Sequence, residues 1–198
     1  MKRKSTQNVL LRAAREGGFF TRLSFLVMGA GCIRCRQYAR GLLYLLTQIG
    51  FFFFFRDFAL QYLRKFGTLG TETQRKVWNE TLQIYQRFPG DNSMLILLYS
   101  VLSLAVTALF LYLWYANIRD AWNGQKCLAQ GKPVSSLRND LHSLTHERFH
   151  VTLLSMPMLT LVLFTLLPIL FMILIAFTNF DADHQPPGNL FTWVGLTN

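Results

Sequence analysis

Charged and uncharged positions fall in blocks along this chain, and the blocks set its architecture. No charge occurs from Met94 to Ile118, 25 residues, and Val151 to Phe177 is a second uncharged run. Both exceed the ~20 apolar residues an α-helix needs to cross a ~30 Å hydrocarbon layer. A third block, Gly41 to Phe55, is uncharged over fifteen residues. At 1.5 Å per residue it reaches only about 22 Å, so Phe58 to Leu63 is needed to complete it. That extension works when Arg56 and Asp57 lie near the interface, where arginine snorkels. The pattern predicts an all-α, polytopic membrane protein with three spanning helices: a two-span hairpin over residues 41–118, interrupted by a polar loop at 64–93, and a third span at 151–177.

The polar stretches carry their own signals. Residues 1–40 form a basic segment in which Leu23 to Ile33 gives eleven uncharged residues, too few to span. Gly29-Ala30-Gly31-Cys32 loosely imitates a lipoprotein cleavage site. However, Gly29 stands where a larger apolar residue is usual, and Arg34, Arg36 and Arg40 follow at once. The expectation is a short interfacial helix. In the 64–93 loop, Val77, Leu82 and Tyr85 suggest a short amphipathic helix on the membrane surface, and Asp91 to Ser93 offer N-cap chemistry for the second span. That span ends in an aromatic belt of Tyr112, Trp114 and Tyr115. Residues 119–150 are expected as a polar loop containing Gly124, Gly131 and Pro133. Pro157 and Pro168 should bend the third span, and 178–198 continues from it as an acidic segment.

Composition sharpens this picture. Apolar residues make up 52% of the 198 and charged residues 15%, well below the ~25% charge of ordinary soluble domains. The net charge of +10 raises the question of nucleic acid, but the basic residues flank apolar runs and form no stripe with exposed aromatics. No nucleic-acid partner is expected. Lys and Arg number nine before Gly41, six in the 56–93 loop, five in the 119–151 loop and none after Phe177. An inside amino terminus therefore keeps fourteen on the cytoplasmic side and six outside. The positive-inside rule predicts that orientation, with 64–93 and 178–198 external and 119–150 cytoplasmic.

Several residues are candidates for chemistry. His146-Glu147-Arg148-Phe149-His150 fits H-E-x-x-H, which on a helix places two imidazoles on one face for Zn²⁺ with Glu147 as general base. A catalytic zinc needs a third ligand. His142 qualifies only from the same helix, and Asp181, Asp183 and His184 lie across the third span. The competing reading is a polar juxtamembrane segment with no metal. Cys32 and Cys35 form a lone C-x-x-C without a second pair, which predicts two incidental reduced thiols. Gly131-Lys132-Pro133 lacks the Ser or Thr and the glycine spacing of a phosphate loop. Thr47, Gln48, Ser100, Ser103, Thr107, Thr160 and Thr165 inside the spans are expected as helix-packing contacts. These residues alone reach a polytopic membrane protein and leave open a membrane zinc metalloprotease using His146, Glu147 and His150 and a small membrane scaffold.

Four segments add a resemblance. Leu154-Ser155-Met156-Pro157, Phe164-Thr165-Leu166-Leu167-Pro168-Ile169, Ile175-Ala176-Phe177-Thr178-Asn179-Phe180 and Trp193-Val194-Gly195-Leu196-Thr197-Asn198 resemble binding-protein-dependent sugar permeases. Gly29-x-Gly31, Gln37-Tyr38, Gly41-Leu42-Leu43 and Leu113-Trp114-Tyr115-Ala116-Asn117-Ile118-Arg119-Asp120-Ala121 look like landmarks of the MalF-type maltose/maltodextrin branch of Gram-positive bacteria. The chain departs from that pattern at Cys32-Ile33-Arg34-Cys35-Arg36 and in the Phe51–Phe55 run. The resemblance implies the amino-terminal portion of a permease subunit in a bacterial cell membrane. It implies no enzymatic activity and no cofactor in this chain, and a second permease subunit, a cytoplasmic ATPase dimer that uses ATP and an external sugar-binding protein as partners. The family's ATPase-coupling loop and sugar-lining helices are expected beyond Asn198, so a fragment that does not transport alone is implied, and no sugar-contacting residue is named.

Overall fold

The computed structural model describes residues 9–131, 134, 139, 142, 146, 149–186 and 188–197. Among the described residues three helices are long and apolar enough to cross a membrane: Tyr38–Lys65, Ser93–Ala129 and Phe149–Ile175. Before them come three short helices, α1 (Val9–Glu16), α2 (Phe19–Leu23) and α3 (Ala30–Arg34). Of the single interfacial helix expected over Leu23 to Ile33, residues 24–29 are instead a turn between α2 and α3. Gly29 ends that turn, capping α3 in the left-handed region at φ 89°, where a side chain is disfavoured.

The first span is longer than its uncharged core. It begins as α4 (Tyr38–Phe54), widens into a π turn at Phe55–Ala59 and ends as α5 (Leu60–Lys65). Arg56 and Asp57 lie in that turn and pair with each other at 3.0 Å. The second helix, α6 (Ser93–Ala129), starts where Asn92 Oδ1 accepts the Leu95 amide at 3.2 Å, the N-cap contact expected of this segment. It continues eleven residues past Ile118, so 119–129, expected as loop, is helix. The third comprises α7 (Phe149–Leu161, containing Pro157), a π turn at Val162–Leu166 and α8 (Leu167–Ile175). None of its most apolar stretch is buried by the rest of the chain.

Residues 75–88 correct the amphipathic-helix expectation. They form an antiparallel hairpin, β1 (Arg75–Asn79) with β2 (Ile84–Phe88), in which Trp78 faces Tyr85 across the strands with rings 4.9 Å apart. Strand formers (Val77, Trp78, Ile84, Tyr85, Phe88) dominate the segment. Asn79 Oδ1 accepts the amides of Thr81 and Leu82 and closes the turn.

By internal contacts the chain divides into two compact units, residues 1–53 with 107–155 and residues 54–106 with 156–198. The core of the second is Leu69, Ile96, Leu97 and Phe191, with Tyr62, Phe66, Phe171, Leu174 and Trp193 packed on it. Ser100, expected as a packing contact, donates to the Tyr62 carbonyl at 2.9 Å. At the foot of the hairpin Asp91 accepts from Lys65 and from the amides of Thr71 and Glu72.

Burial is the largest influence on Asp91 and raises its pKa. The Lys65 hydrogen bond and charge and the two amides together outweigh it and leave the carboxyl below its usual range. A depressed folded pKa contributes stability above the unfolded value, ~3.9, and that stability is lost as pH falls through the folded value. We expect Thr71 and Glu72 amide protection, corrected for intrinsic exchange, to hold from neutral pH down to about pH 4 and to fall below it. Hydrogen exchange across that range checks this; protection that falls already between pH 7 and 5 would contradict it.

Candidate functional site

The first unit gathers landmarks that lie far apart in sequence. Its apolar centre is Ala13, Ile118 and Trp122, with Val9, Leu10, Phe25 and Trp114 around them. Residues 24–31 form a turn there with several backbone groups turned away from helical partners. Five of them are met by side chains from spanning helices. Asn117 Oδ1 accepts the Gly29 amide at 2.8 Å, and Asn117 Nδ2 donates to the Ser24 carbonyl at 3.0 Å. Gln48 accepts the Met28 amide at 2.8 Å and donates to the Leu26 carbonyl at 2.7 Å. Trp114 Nε1 donates to the Phe25 carbonyl at 3.0 Å. Ser24 Oγ closes the turn, accepting from the Gly31 amide at 2.7 Å and donating to the Phe20 carbonyl. The buried bonds among these, at Gly29, Gly31 and Ser24, hold one geometry, since releasing any one strands its partner.

Close packing depends on three glycines. A Cβ at Gly29 would sit 2.1 Å from the Gly41 carbonyl oxygen, one at Gly31 2.5 Å from Ala121 Cβ, and one at Gly41 2.6 Å from an Ile33 side-chain carbon. Tyr44 donates to Asp120 at 2.9 Å, and Arg40 lies 3.8 Å from the same carboxylate. Phe51 stacks on Phe110 with ring centres 3.8 Å apart. Gly29, Gly31, Gly41, Asn117, Asp120 and Ala121, quoted above from separate segments, thus form one fastening of the amino-terminal segment to two spanning helices.

In the second unit the segment after the third span folds back on itself. Thr178 and Trp193 form an antiparallel bridge, and Asn179 exchanges hydrogen bonds with Thr192 through both its backbone and its side chain. The Val194 and Gly195 amides both donate to the Phe177 carbonyl. Trp193 Nε1 reaches the Phe66 carbonyl at 2.8 Å, and Phe191 is fully buried, its amide donating to Ser93 Oγ. The Phe177-Thr178-Asn179 and Trp193-Val194-Gly195 pieces of the resemblance are therefore brought side by side by one bridge and its flanking hydrogen bonds.

The other candidates fall elsewhere. His146 stacks on His142 with ring centres 4.1 Å apart, and its Nδ1 lies 3.2 Å from the His142 carbonyl oxygen. His150 lies in the first turn of α7, and Glu147 lies outside the described residues. Among the described residues no three His, Cys, Asp or Glu side chains come together as metal ligands. Cys32 and Cys35 are buried free thiols. Burial, then the nearby Asp120 carboxylate, pushes the Cys32 thiol up to about 12 against an opposing pull from Arg40; burial also raises Cys35. Such thiols stay protonated at neutral pH and are weak nucleophiles and metal ligands. Of the in-span polar residues, Gln48 and Ser100 reach across to other segments, whereas Thr47 and Thr160 bond carbonyls of their own helices.

These features define a helical, multi-pass membrane protein whose ordered polar contacts fasten helices and loops to one another. Its relatives are permeases. The chain is 30% identical over 171 residues to the galactooligosaccharides transport system permease protein GanP of Bacillus subtilis, covering 86% of this chain and 37% of that protein. It is 30% identical over 174 residues to the maltodextrin transport system permease protein MalC of Streptococcus pneumoniae, and 28% identical over 193 residues to the maltodextrin transport system permease protein MdxF of Bacillus subtilis. The chain spans 37 to 40% of the length of these curated relatives. No family model matches the chain, and no solved structure matches it. It is thus similar over most of its own length to sugar permeases of the MalF/MalC type, the resemblance that its motifs carry.

Proposed function

We propose that the chain is the amino-terminal portion of a permease subunit in a binding-protein-dependent ABC importer for maltose- or maltodextrin-type sugars. The observation that carries this is the similarity to three sugar permeases over 86 to 96% of the chain. The coming together of the family-like segments in two fastenings supports it. In this reading the amino terminus faces the cytoplasm, as the distribution of Lys and Arg favours. The partners are a second permease subunit, a cytoplasmic ATPase dimer and an external sugar-binding protein. ATP is used by the ATPase, whose closure turns the permease pair outward to accept sugar. The first two spans act as a peripheral hairpin, and the third flanks the transport core.

The test is gene disruption in the source cell. Interrupting the reading frame within the third span should abolish uptake of radiolabelled maltodextrins, and a copy of the intact gene should restore it. Loss of galactooligosaccharide uptake alone would keep the permease role and overturn the sugar assignment. Unchanged uptake of both would overturn the role.

A further inference from the structure

Residues 9–40 hold six arginines and one acidic residue, Glu16, and Arg40 is engaged with Asp120. In the first unit this basic segment opens a cavity of about 440 Å³, the size of a small-molecule site. Its walls divide by chemistry. Phe19, Phe20 and Leu128 supply an apolar side, and Phe19 is 74% exposed. Arg34 and Gln125 supply a polar side. The Arg34 guanidinium lies 6.0 Å from the centre of the Phe20 ring, so it is held over the cavity wall by a ring and, among the described residues, is not neutralised by a carboxylate. Gln125 commits its Oε1 to the Gly18 amide and the Thr21 hydroxyl at 2.8 and 2.6 Å, which leaves its NH₂ as the donor on offer.

Depth along α6 decides what such a cavity meets. The uncharged stretch ends at Ile118, and Arg119 and Asp120 follow. Gln125 is five residues beyond Asp120, about 7.5 Å at 1.5 Å per residue. That reaches the outer edge of the headgroup zone, which takes about 5–7.5 Å on each face, since a bilayer is ~40–45 Å thick with headgroups and ~30 Å without them. A cavity with one arginine, one amide donor and an open apolar wall, in a basic segment at phosphate depth, complements a lipid with a negative headgroup.

We propose that this cavity is a binding site for an anionic phospholipid, its phosphate held between Arg34 and Gln125 and an acyl chain lying along Phe19 and Leu128. It rests on the membrane setting of the chain and not on the transported sugar.

Thermal unfolding of the purified full chain in neutral detergent tests this, with short-chain phosphatidylglycerol, phosphatidylcholine or inorganic phosphate added. Phosphatidylglycerol should raise the midpoint by several degrees, and phosphatidylcholine and phosphate should not. Arg34→Gln should remove most of the rise, and Phe19→Ser should weaken it; both positions are exposed, so the lipid-free midpoint should stay near that of the unaltered chain. Arg36→Gln, two residues on and outside the cavity wall, should keep the full response. An equal rise with phosphatidylcholine would overturn recognition of the charge. A full rise with phosphate alone would mean a free-anion site and overturn the lipid. A response that survives Arg34→Gln, or is lost equally with Arg36→Gln, would overturn the cavity as the site.

Discussion

Gly29→Ala should be the most damaging single substitution in the amino-terminal fastening, at a cost on the order of 4 kcal/mol. The figure combines about 1–2 kcal/mol for forcing a side chain into the left-handed region with about 1–3 kcal/mol for overpacking. The added Cβ would stand 2.1 Å from the Gly41 oxygen and within 3 Å of the Gly41 carbonyl carbon and Cα. All three are backbone atoms of a spanning helix, so no rotamer change relieves the clash. Gly131 is the control. It too has a positive φ, 66°, but nothing lies within 4 Å of the Cβ it would gain, so Gly131→Ala should cost only the backbone strain. Denaturant unfolding of the purified chain in mixed micelles compares the two. Equal losses would show that the contact with Gly41 is unimportant.

Asn117→Ala should be next, at about 3 kcal/mol. The side chain is fully buried and satisfies two buried backbone groups at once, the Gly29 amide and the Ser24 carbonyl. Each orphaned group costs about 1–3 kcal/mol where water has poor access. The Gly29 amide should also lose its exchange protection. Because Gly29→Ala displaces the same turn, the double variant should cost less than the two single losses combined. Strict additivity would mean that the two residues stabilise different things, contrary to the 2.8 Å bond between them.

How much of this was legible in the sequence depends on the range of the forces involved. The second and third spans follow from uncharged runs alone, because transfer of apolar residues into lipid needs no tertiary information. The first was legible as far as Leu63, within two residues of its end at Lys65, but not its π turn, because the pairing of Arg56 with Asp57 there is a local geometric solution. Residues 119–129 read as loop for a different reason. Their Asp, Asn and Gly lower helix propensity, and what makes them helical is the packing of Ile118 and Trp122 on Ala13 and of Ala121 against Gly31. Val77, Leu82 and Tyr85 fit a helical face, but Asn79 ahead of a turn and the β-branched and aromatic residues beside it carried the hairpin signal. Gly29, Gly31, Gly41, Asn117, Asp120 and Ala121 were visible as landmarks. Their meeting was not, since the Gly29–Asn117 bond joins residues 88 apart.

The ion pair in the first span has a consequence for the protein's synthesis. A charged residue costs up to about 2.5–3.5 kcal/mol at insertion, the full figure at the centre of a membrane helix and less towards the interface, and Arg56 and Asp57 interrupt the apolar run of the first span. The first span is also the least apolar of the three. The ribosome thus delivers the weakest anchor first and the stronger ones after it. The partners that steady it, Phe110 against Phe51 and Tyr99 against Phe58 and Tyr62, emerge only with the second. The first helix should therefore be held stably in the bilayer only as half of a hairpin, once translation has reached the second.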